Sequence, residues 1–212
     1  MKTSEFIAAL AADPTPEPIR LGRRVAVALV IGLAGSIALY CLLLGPRPDV
    51  AAAADTMRFW MKFVDSAAFA LPTLLLTLRL ARPDAKPRAL ALWLFAPFIL
   101  LAAGVVVELL VTPQSAWMSR LMGSTALHCT VTIPILAAPI LAALIVALRA
   151  GAPLHPALTG AMAGAAAAGV GALVYASSCP GDSPLFVAAW YPLATLICIG
   201  VGALAGRRFL AW

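Results

Sequence analysis

Two cysteines of this sequence stand among polar residues at the ends of hydrophobic segments. Cys129 follows His128 in the stretch LHCTVTIP, and Cys179 lies together with Asp182 in the stretch SSCPGDSP. A thiol becomes reactive where a cation or a helix N-terminus stabilises its thiolate. Sulfur, nitrogen and oxygen donors of this kind also bind soft or borderline metal ions. The four residues therefore indicate redox or metal chemistry, and the alternative is that the cysteines are ordinary small buried residues.

The spacing of these residues argues against an enzyme. A thiol oxidoreductase usually carries a close cysteine pair such as CxxC, which this sequence lacks. His128 and His155 are predicted on opposite sides of a membrane by the topology given below, so they do not form one site. We therefore predict no catalytic residues, no small-molecule substrate and no cofactor, and a soft metal ion would enter only as a signal.

The composition is that of a membrane protein. Of the 212 residues, 63% are hydrophobic and 11% are charged, and the mean hydropathy is +0.98. Soluble domains are about half apolar and about a quarter charged. The net charge of +6 is explained by basic residues on one side of a membrane, so we predict no direct binding of nucleic acid. The opening stretch MKTSEFIAALAADPTPEP has mixed charges and a short apolar run, so we expect no signal peptide.

Six segments are long enough to cross a bilayer core of about 30 Å, which needs roughly 20 apolar residues. Lipid admits only helices or closed barrels as spanning structures, and these runs are too long for barrel strands. We therefore predict an all-α membrane protein with six transmembrane helices. The predicted spans are residues 25–44, 60–80, 89–111, 129–148, 156–177 and 185–206. Residues 1–24 would form an N-terminal arm, residues 25–206 the bundle and residues 207–212 a short tail.

Lysines and arginines are distributed unequally between the two sides of this predicted bundle. The side of the termini carries Lys2, Arg20, Arg23, Arg24, Arg79, Arg82, Lys86, Arg88, Arg149, Arg207 and Arg208. The other side carries only Arg47, Arg58, Lys62 and Arg120. Because the cytoplasmic side of membrane proteins is enriched in basic residues, both termini are predicted to be cytoplasmic. Cys129 and Cys179 would then lie at the outer face.

Three residues inside or near the spans are further candidates for a functional site, besides the cysteine cluster of His128, Cys129, Cys179 and Asp182. We expect Glu108 to be the one carboxylate within a hydrophobic segment, about one helical turn from the outer interface. A structural role at the interface is the main expectation, and a contact with the cysteine cluster or a proton relay are the alternatives. Trp190 and Tyr191 are expected to pack in the core, with packing over the cysteine cluster as the alternative.

The fifth predicted span is dominated by small residues, and Gly160 and Gly164 form a GxxxG pair. Such pairs let helix backbones approach closely. We expect a tightly packed central helix, with dimerisation as the alternative.

The arm contains a short amphipathic segment. In TSEFIAALAA, Phe6, Ile7 and Leu10 share one helical face, and the prolines at 14, 16 and 18 end the helix. A helix of this length is marginal in water. It would therefore lie on the membrane or dock into a groove of a partner.

The sequence resembles the NrsF-type anti-sigma factors, which are six-span inner-membrane proteins of proteobacteria. The resemblance rests on MKTSEFIAALAAD at the start, on residues 128–191 from HCTVTIPILAAP to FVAAWY, and on GRRFLAW at the end. It extends over essentially the whole chain. It implies a negative regulator that holds an extracytoplasmic-function sigma factor at the membrane through the arm. A signal at the outer face would release that sigma factor.

Residue by residue, the cysteine pair of the family falls on Cys129 and Cys179, while Cys41 and Cys198 lie outside the pattern. The N-terminal motif of the family implies partner binding by Phe6, Ile7, Leu10 and Asp13. The resemblance implies redox or metal sensing by Cys129 and Cys179. It leaves open a disulfide, metal ligation and oxidation of a single thiol.

The alternative function is a small six-span transporter or channel. Such a protein needs paired intramembrane charges, discontinuous helices or an internal repeat. The sequence shows no repeat, and Glu108 is the only deeply placed ionisable residue that we expect. The residues that would break helices are Pro72, Pro97, Pro134, Pro139 and Pro192.

Overall fold

Helices form nearly all of the regular structure in the computed structural model, which describes residues 3–12, 20–83 and 88–211. These residues contain no strand. The α-helices are α1 (Thr3–Ala12), α2 (Leu21–Leu43), α3 (Val50–Ala54), α4 (Met57–Leu80), α5 (Arg88–Leu92), α6 (Phe95–Val111), α7 (Trp117–Met122), α8 (Ala126–Leu148), α9 (Pro156–Tyr175) and α10 (Pro184–Phe209). A short 3-10 helix, Gln114–Ala116, precedes α7.

Six helical segments are long and apolar enough to cross a membrane, as the sequence predicts. They are Leu21–Leu43, Met57–Leu80, Ala89–Val111, Gln114–Leu148, Pro156–Tyr175 and Pro184–Phe209. The described part of the chain is therefore all-helical, and its six long apolar helices are those of a multi-pass membrane protein. Its first span begins at Leu21, so Arg23 and Arg24 belong to the first turn of α2 and not to the arm.

Helix α9 lies at the centre of the bundle, between α4, α8 and α10. Its side chains are mostly alanine and glycine, and the run from Ala165 to Ala168 is at most 1% exposed. Small side chains let three helices approach one backbone at the same time, which gains dispersion contacts that lipid cannot supply. The prediction of a closely packed central fifth span is confirmed.

The predicted GxxxG pair packs against another helix of the same chain. Gly160 and Gly164 of α9 face Gly202 and Gly206 of α10. A Cβ atom built at Gly202 would overlap the Gly160 carbonyl oxygen and would lie 2.9 Å from the Gly164 Cα. The two backbones are thus in direct contact, and this glycine surface is already occupied inside the monomer.

Four of the five prolines named as possible helix breakers lie inside continuous helices. Pro72 lies inside α4, Pro134 and Pro139 lie inside α8, and Pro192 lies inside α10, and each of these helices is continuous. The third span is different: it is interrupted at Trp93 and Leu94, between α5 and α6, and Pro97 lies in the first turn of α6. A break of this kind is one of the features named for the transporter alternative.

Candidate thiol site

Cys129 and Cys179 come together at one end of the bundle. Cys129 lies in the first turn of α8, Cys179 lies in the loop after α9, and their Sγ atoms are 3.5 Å apart. Both side chains are fully buried, and the Tyr175 hydroxyl lies 3.1 Å from the Cys129 Sγ. A disulfide needs a sulfur–sulfur distance of about 2.0 Å. A small shift of the loop would therefore allow the two thiols to bond. We call this end of the bundle the thiol end (loops 44–56, 112–125 and 176–183).

A buried lysine holds the loop that carries Cys179. The Lys62 ammonium group, on α4, donates to the Asp182 carboxylate over 2.5 Å and to the Cys179 carbonyl oxygen over 2.7 Å. The Lys62 side chain is fully buried. Arg47 donates from the other side, to Asp182 over 2.7 Å and to the Cys179 carbonyl over 3.2 Å. Two cations therefore fix the backbone beside the thiol.

This environment favours the thiolate of Cys179. The hydrogen bond from the Cys129 thiol lowers the pKa of Cys179, burial opposes that effect, and the positive charge of Lys62 adds to it, so that the pKa falls to about 6. The ordinary pKa of the group is 9.0. The thiolate and not the thiol attacks, so this environment favours Cys179 over Cys129 as the more nucleophilic sulfur.

Glu108 forms a second ion-pair group at the thiol end. Its carboxylate is buried and accepts from Arg58 over 2.9 Å and from Arg120 over 2.7 Å. The Ser183 hydroxyl lies 3.3 Å from the same carboxylate. Glu108 thus ties α4, α6, α7 and the start of α10 together. The expected structural role of Glu108 is found, whereas its carboxylate contacts Ser183 beside the cysteine cluster and no member of that cluster.

Glu108 is not the one carboxylate within a span. Asp65 lies inside α4, one turn beyond Lys62, and its Oδ1 atom is buried without a hydrogen-bond partner among the described residues. The expectation about Glu108 was wrong because Asp65 also falls inside the predicted second span, residues 60–80.

The other two predicted site residues take different positions. His128 is exposed, and its ring centroid lies 6.2 Å from that of Tyr175. Asp182 is engaged by Lys62 and Arg47. The described residues contain no group of three or more His, Cys, Asp and Glu side chains placed to hold a metal ion. The two thiols are therefore the groups at this end that are available to bind a metal ion, because the Asp182 carboxylate is already paired with Lys62 and Arg47.

An aromatic ring closes the thiols off from a polar cavity. The cavity has a volume of about 620 Å³ and is lined by Arg58, Arg120 and Asp182, among others. The Phe186 ring, fully buried, forms part of its wall and also packs in the cluster that contains both cysteines. Gly123 and Gly181 flank the ring so closely that a Cβ atom at either would lie within 2.7 Å of it. Phe186 thus fills the space between the cavity and the thiols.

Comparison with known proteins assigns the chain to one family. The family model described as "NrsF: Negative regulator of sigma F" matches residues 10–212. The probable anti-sigma-F factor NrsF of Azospira oryzae is 34% identical over 222 residues, and the anti-sigma-F factor NrsF of Caulobacter vibrioides is 34% identical over 223 residues. Both alignments cover 100% of each chain. The chain belongs to the NrsF family. No solved structure matches it.

The partner-binding residues implied for this NrsF-family chain lie in or next to α1. Ile7 is 60% exposed on that helix. Phe6 and Leu10 belong to the same helix, whereas Asp13 lies outside the described residues. An apolar side chain at this level of exposure on a polar-flanked helix is available to a partner or to a lipid surface.

Trp190 and Tyr191 also belong to the thiol end of this chain. Tyr191 is buried in the same cluster as both cysteines, and Trp190 packs against that cluster while its indole nitrogen donates to the Leu121 carbonyl over 2.9 Å. The two aromatic residues are therefore core residues and cover the cysteines at the same time.

Replacing Phe186 with alanine should open the thiol pair to water. We expect the rate of alkylation of Cys179 by a membrane-impermeant maleimide to rise about tenfold or more, because the reagent no longer waits for a local opening of the packed ring. Mass spectrometry of the reduced protein over time measures the rate. Leu193→Ala, a lipid-exposed position on the same helix, is the matched control. Equal rates in both variants would show that Phe186 does not control access.

Proposed function

We propose that this protein is an anti-sigma factor that holds an extracytoplasmic-function sigma factor at the bacterial inner membrane and releases it when Cys129 and Cys179 are oxidised to a disulfide. The observation that carries the proposal is the buried thiol pair with its 3.5 Å sulfur–sulfur distance. A dithiol sealed behind Phe186 stays reduced until an oxidant reaches it, which suits a sensor. A soft metal ion held by the two thiolates is the alternative form of the same signal.

The orientation proposed for the bundle places the thiol end in the periplasm and both termini in the cytoplasm. The four cations at the thiol end are all in ion pairs, and their partners are Asp49, Asp182 and Glu108. This end is therefore nearly neutral, which strengthens the inequality of charge between the two sides. A periplasmic thiol pair can form a lasting disulfide, whereas a cytoplasmic one is kept reduced.

The loop of Cys179 is bonded to the helix that leads to the arm. The Tyr40 hydroxyl lies 2.7 Å from the Ser177 Oγ, the Ser178 hydroxyl donates to the Gly45 carbonyl, and the Arg47 amide donates to the Ser177 carbonyl over 3.2 Å. These three partners lie at or just after the end of α2. A shift of the Cys179 loop is therefore imposed on α2 directly.

Helix α2 also rests on the helix that carries Cys129. A Cβ atom at Gly32 would lie 2.6 Å from the Ile140 Cα, so α2 and α8 are in backbone contact near Pro139. At 1.5 Å per residue the 23 residues of α2 extend about 34 Å, which is the full thickness of the bilayer core. We infer that α2 moves as one rigid helix when the thiols form a disulfide. Its N-terminal end, at Leu21, would then displace the arm.

The arm alone offers a small surface to the sigma factor. Stable complexes usually bury about 1,200–2,000 Å² in total, which a ten-residue helix does not reach. Confinement of the sigma factor near the membrane raises its effective concentration at the arm, and a weaker contact then suffices. A weak contact is also the kind that a modest movement of α2 can break.

The experiment that tests this function is the double substitution Phe6→Ala and Leu10→Ala. We expect the complex with the co-expressed sigma factor to lose about 2 kcal/mol or more, because buried apolar side chains are the usual anchors of helix-in-groove contacts. Co-purification from membranes measures the effect. Ala8→Ser, an exposed position of the same helix, is the matched control. Undiminished co-purification of the double variant, at normal levels of membrane insertion, would refute the role of the arm.

A further inference from the structure

A groove runs along the outer surface of the bundle between α2 and α8, at the end opposite the thiol end. Its volume is about 1220 Å³. Val27 and Ile31 of α2 and Val146 of α8 form part of its wall, and these side chains are 52%, 63% and 69% exposed. Because exposed apolar surface of a spanning helix faces lipid, the groove opens into the bilayer.

The groove exists because α8 presents small side chains to it. Its α8 wall, apart from Val146, consists of Pro139, Ala142, Ala143 and Ala147. The two helices meet in backbone contact at Gly32 and Ile140, directly beyond Ile31 and Pro139. The groove is therefore closed at its deep end and continues toward the start of α2.

The depth of the groove matches one leaflet of a membrane. Its α2 wall extends from Arg20 to Ile31. At 1.5 Å per residue this distance is about 16 Å, and one half of the bilayer core is about 15 Å. An acyl chain lying along α8 would thus reach from the headgroup level to the closed end.

Three arginines surround the open end of the groove. Arg20, Arg23 and Arg24 line it and are exposed, while the salt bridges between described residues all lie at the thiol end. The first N–H groups of α2 point out of this end as well, and Arg20 supplies no side-chain cap for them. Guanidinium groups and the N-terminus of a helix both bind phosphate oxygens.

We propose that this groove binds one anionic phospholipid, with its phosphate at the three arginines and an acyl chain along the alanines of α8. Basic pockets between spanning helices select anionic headgroups in this way. A zwitterionic lipid would bring its own cation beside Arg20, Arg23 and Arg24, which disfavours it. Inorganic phosphate has no apolar part for the groove. The inference does not rest on the chemistry of the thiols.

The position of this site gives the lipid a structural role. It lies at the first turn of α2, where the arm joins the bundle. A phospholipid held there would contact α2 and α8 together, and it would fix the start of α2 at the level of the headgroups.

The test measures which lipid the full-length protein retains. The protein is placed in nanodiscs of equal parts phosphatidylglycerol and phosphatidylcholine and extracted in mild detergent, and native mass spectrometry identifies the bound lipid. We expect one phosphatidylglycerol per chain, preferred about tenfold over phosphatidylcholine. The double substitution Arg23→Gln and Arg24→Gln should lower that preference about tenfold. Arg207→Gln with Arg208→Gln removes the same charge from the same end of the bundle outside the groove, and should leave the preference unchanged.

A second pair of variants tests the apolar part of the site without changing charge. Val27→Trp fills the groove and should reduce bound phosphatidylglycerol about tenfold. Val30→Trp, at a 68% exposed position outside the groove wall, should retain it. Equal retention of the two lipids by the wild type overturns the inference, as does an equal loss in both arginine pairs or unchanged retention by Val27→Trp. Displacement of the lipid by inorganic phosphate would also overturn it, since the site would then bind the anion alone.

Discussion

Replacing Lys62 with methionine is expected to lower the free energy of unfolding by about 3–5 kcal/mol, because it breaks a buried ion pair from one side. Methionine nearly matches the lysine stem in volume but donates no hydrogen bond to Asp182 or to the Cys179 carbonyl. Thermal unfolding in detergent measures the loss. Arg58→Met, on the same helix, is the matched control: each variant leaves its carboxylate one other cation, but Lys62 is fully buried and Arg58 is partly exposed. A loss equal to or below that of the control would contradict the role given to Lys62.

The same substitution should change the pH dependence of the thiols. Without the positive charge of Lys62, the pKa of Cys179 rises from about 6 toward its ordinary value of 9.0. The rate of alkylation, measured in the Phe186→Ala background so that the reagent has access, should reach half of its maximum at a higher pH. Lys62→Arg keeps the charge and should keep the midpoint lower than Lys62→Met does.

The depressed pKa also links stability to pH in the reduced protein. Because the pKa of Cys179 is lower in the folded state than in the unfolded chain, the thiolate stabilises the fold fully above about pH 9. That contribution is lost as the pH falls from about 9 to about 6. Cys179→Ser, which does not ionise, should lack this rise of stability with pH.

Replacing Gly202 with leucine should separate α9 from α10 and destabilise the bundle by at least about 3 kcal/mol, since over-packing against rigid backbone has no side chain that can move aside. Any Cβ at this position overlaps the Gly160 carbonyl oxygen. Gly200→Leu, two residues away on the same helix, is the matched control, because nothing lies within 4 Å of a Cβ there. The difference in thermal stability between the two variants isolates the contact between the helices.

The Gly202 variant also tests how the thiol site is held. Helix α10 carries Phe186 and Tyr191, and both pack in the cysteine cluster. We expect the Gly202 variant to expose Cys179 to maleimide, and the Gly200 variant to leave it protected. Protection in both would mean that the thiol end is stable without the contact between α9 and α10.

Local sequence patterns were sufficient to predict the six spanning helices and the placement of Cys129 and Cys179 at one end of the bundle. Six apolar runs must become six spans in lipid, since no other structure satisfies their backbone groups. A short loop makes α8 and α9 antiparallel neighbours. The end of α9, which leads to Cys179, therefore lies near the start of α8, which carries Cys129. The small residues of α9 indicated its central position for a similar reason: without bulky side chains, a helix gains contacts only from close neighbours.

The charged part of the site could not be predicted from such patterns. Lys62, Arg47 and Asp182 come from three different elements, and their contact depends on the register between α4 and the loop after α9. Lys62 was useful in the sequence only as a charge that sets orientation. Asp65, in contrast, is predictable by the same rule that singles out Glu108, because both are acids within apolar helices.

The measurement that tests the account most directly is release of the sigma factor from the purified membrane complex on oxidation of Cys129 and Cys179. The complex is immobilised through this protein, treated with diamide, and the released sigma factor is quantified beside the fraction of disulfide. We predict that release follows disulfide formation in the wild type and that Cys129→Ser, which cannot form the bond, retains the sigma factor. Full disulfide formation with the sigma factor still bound, or equal release from Cys129→Ser, would contradict the account.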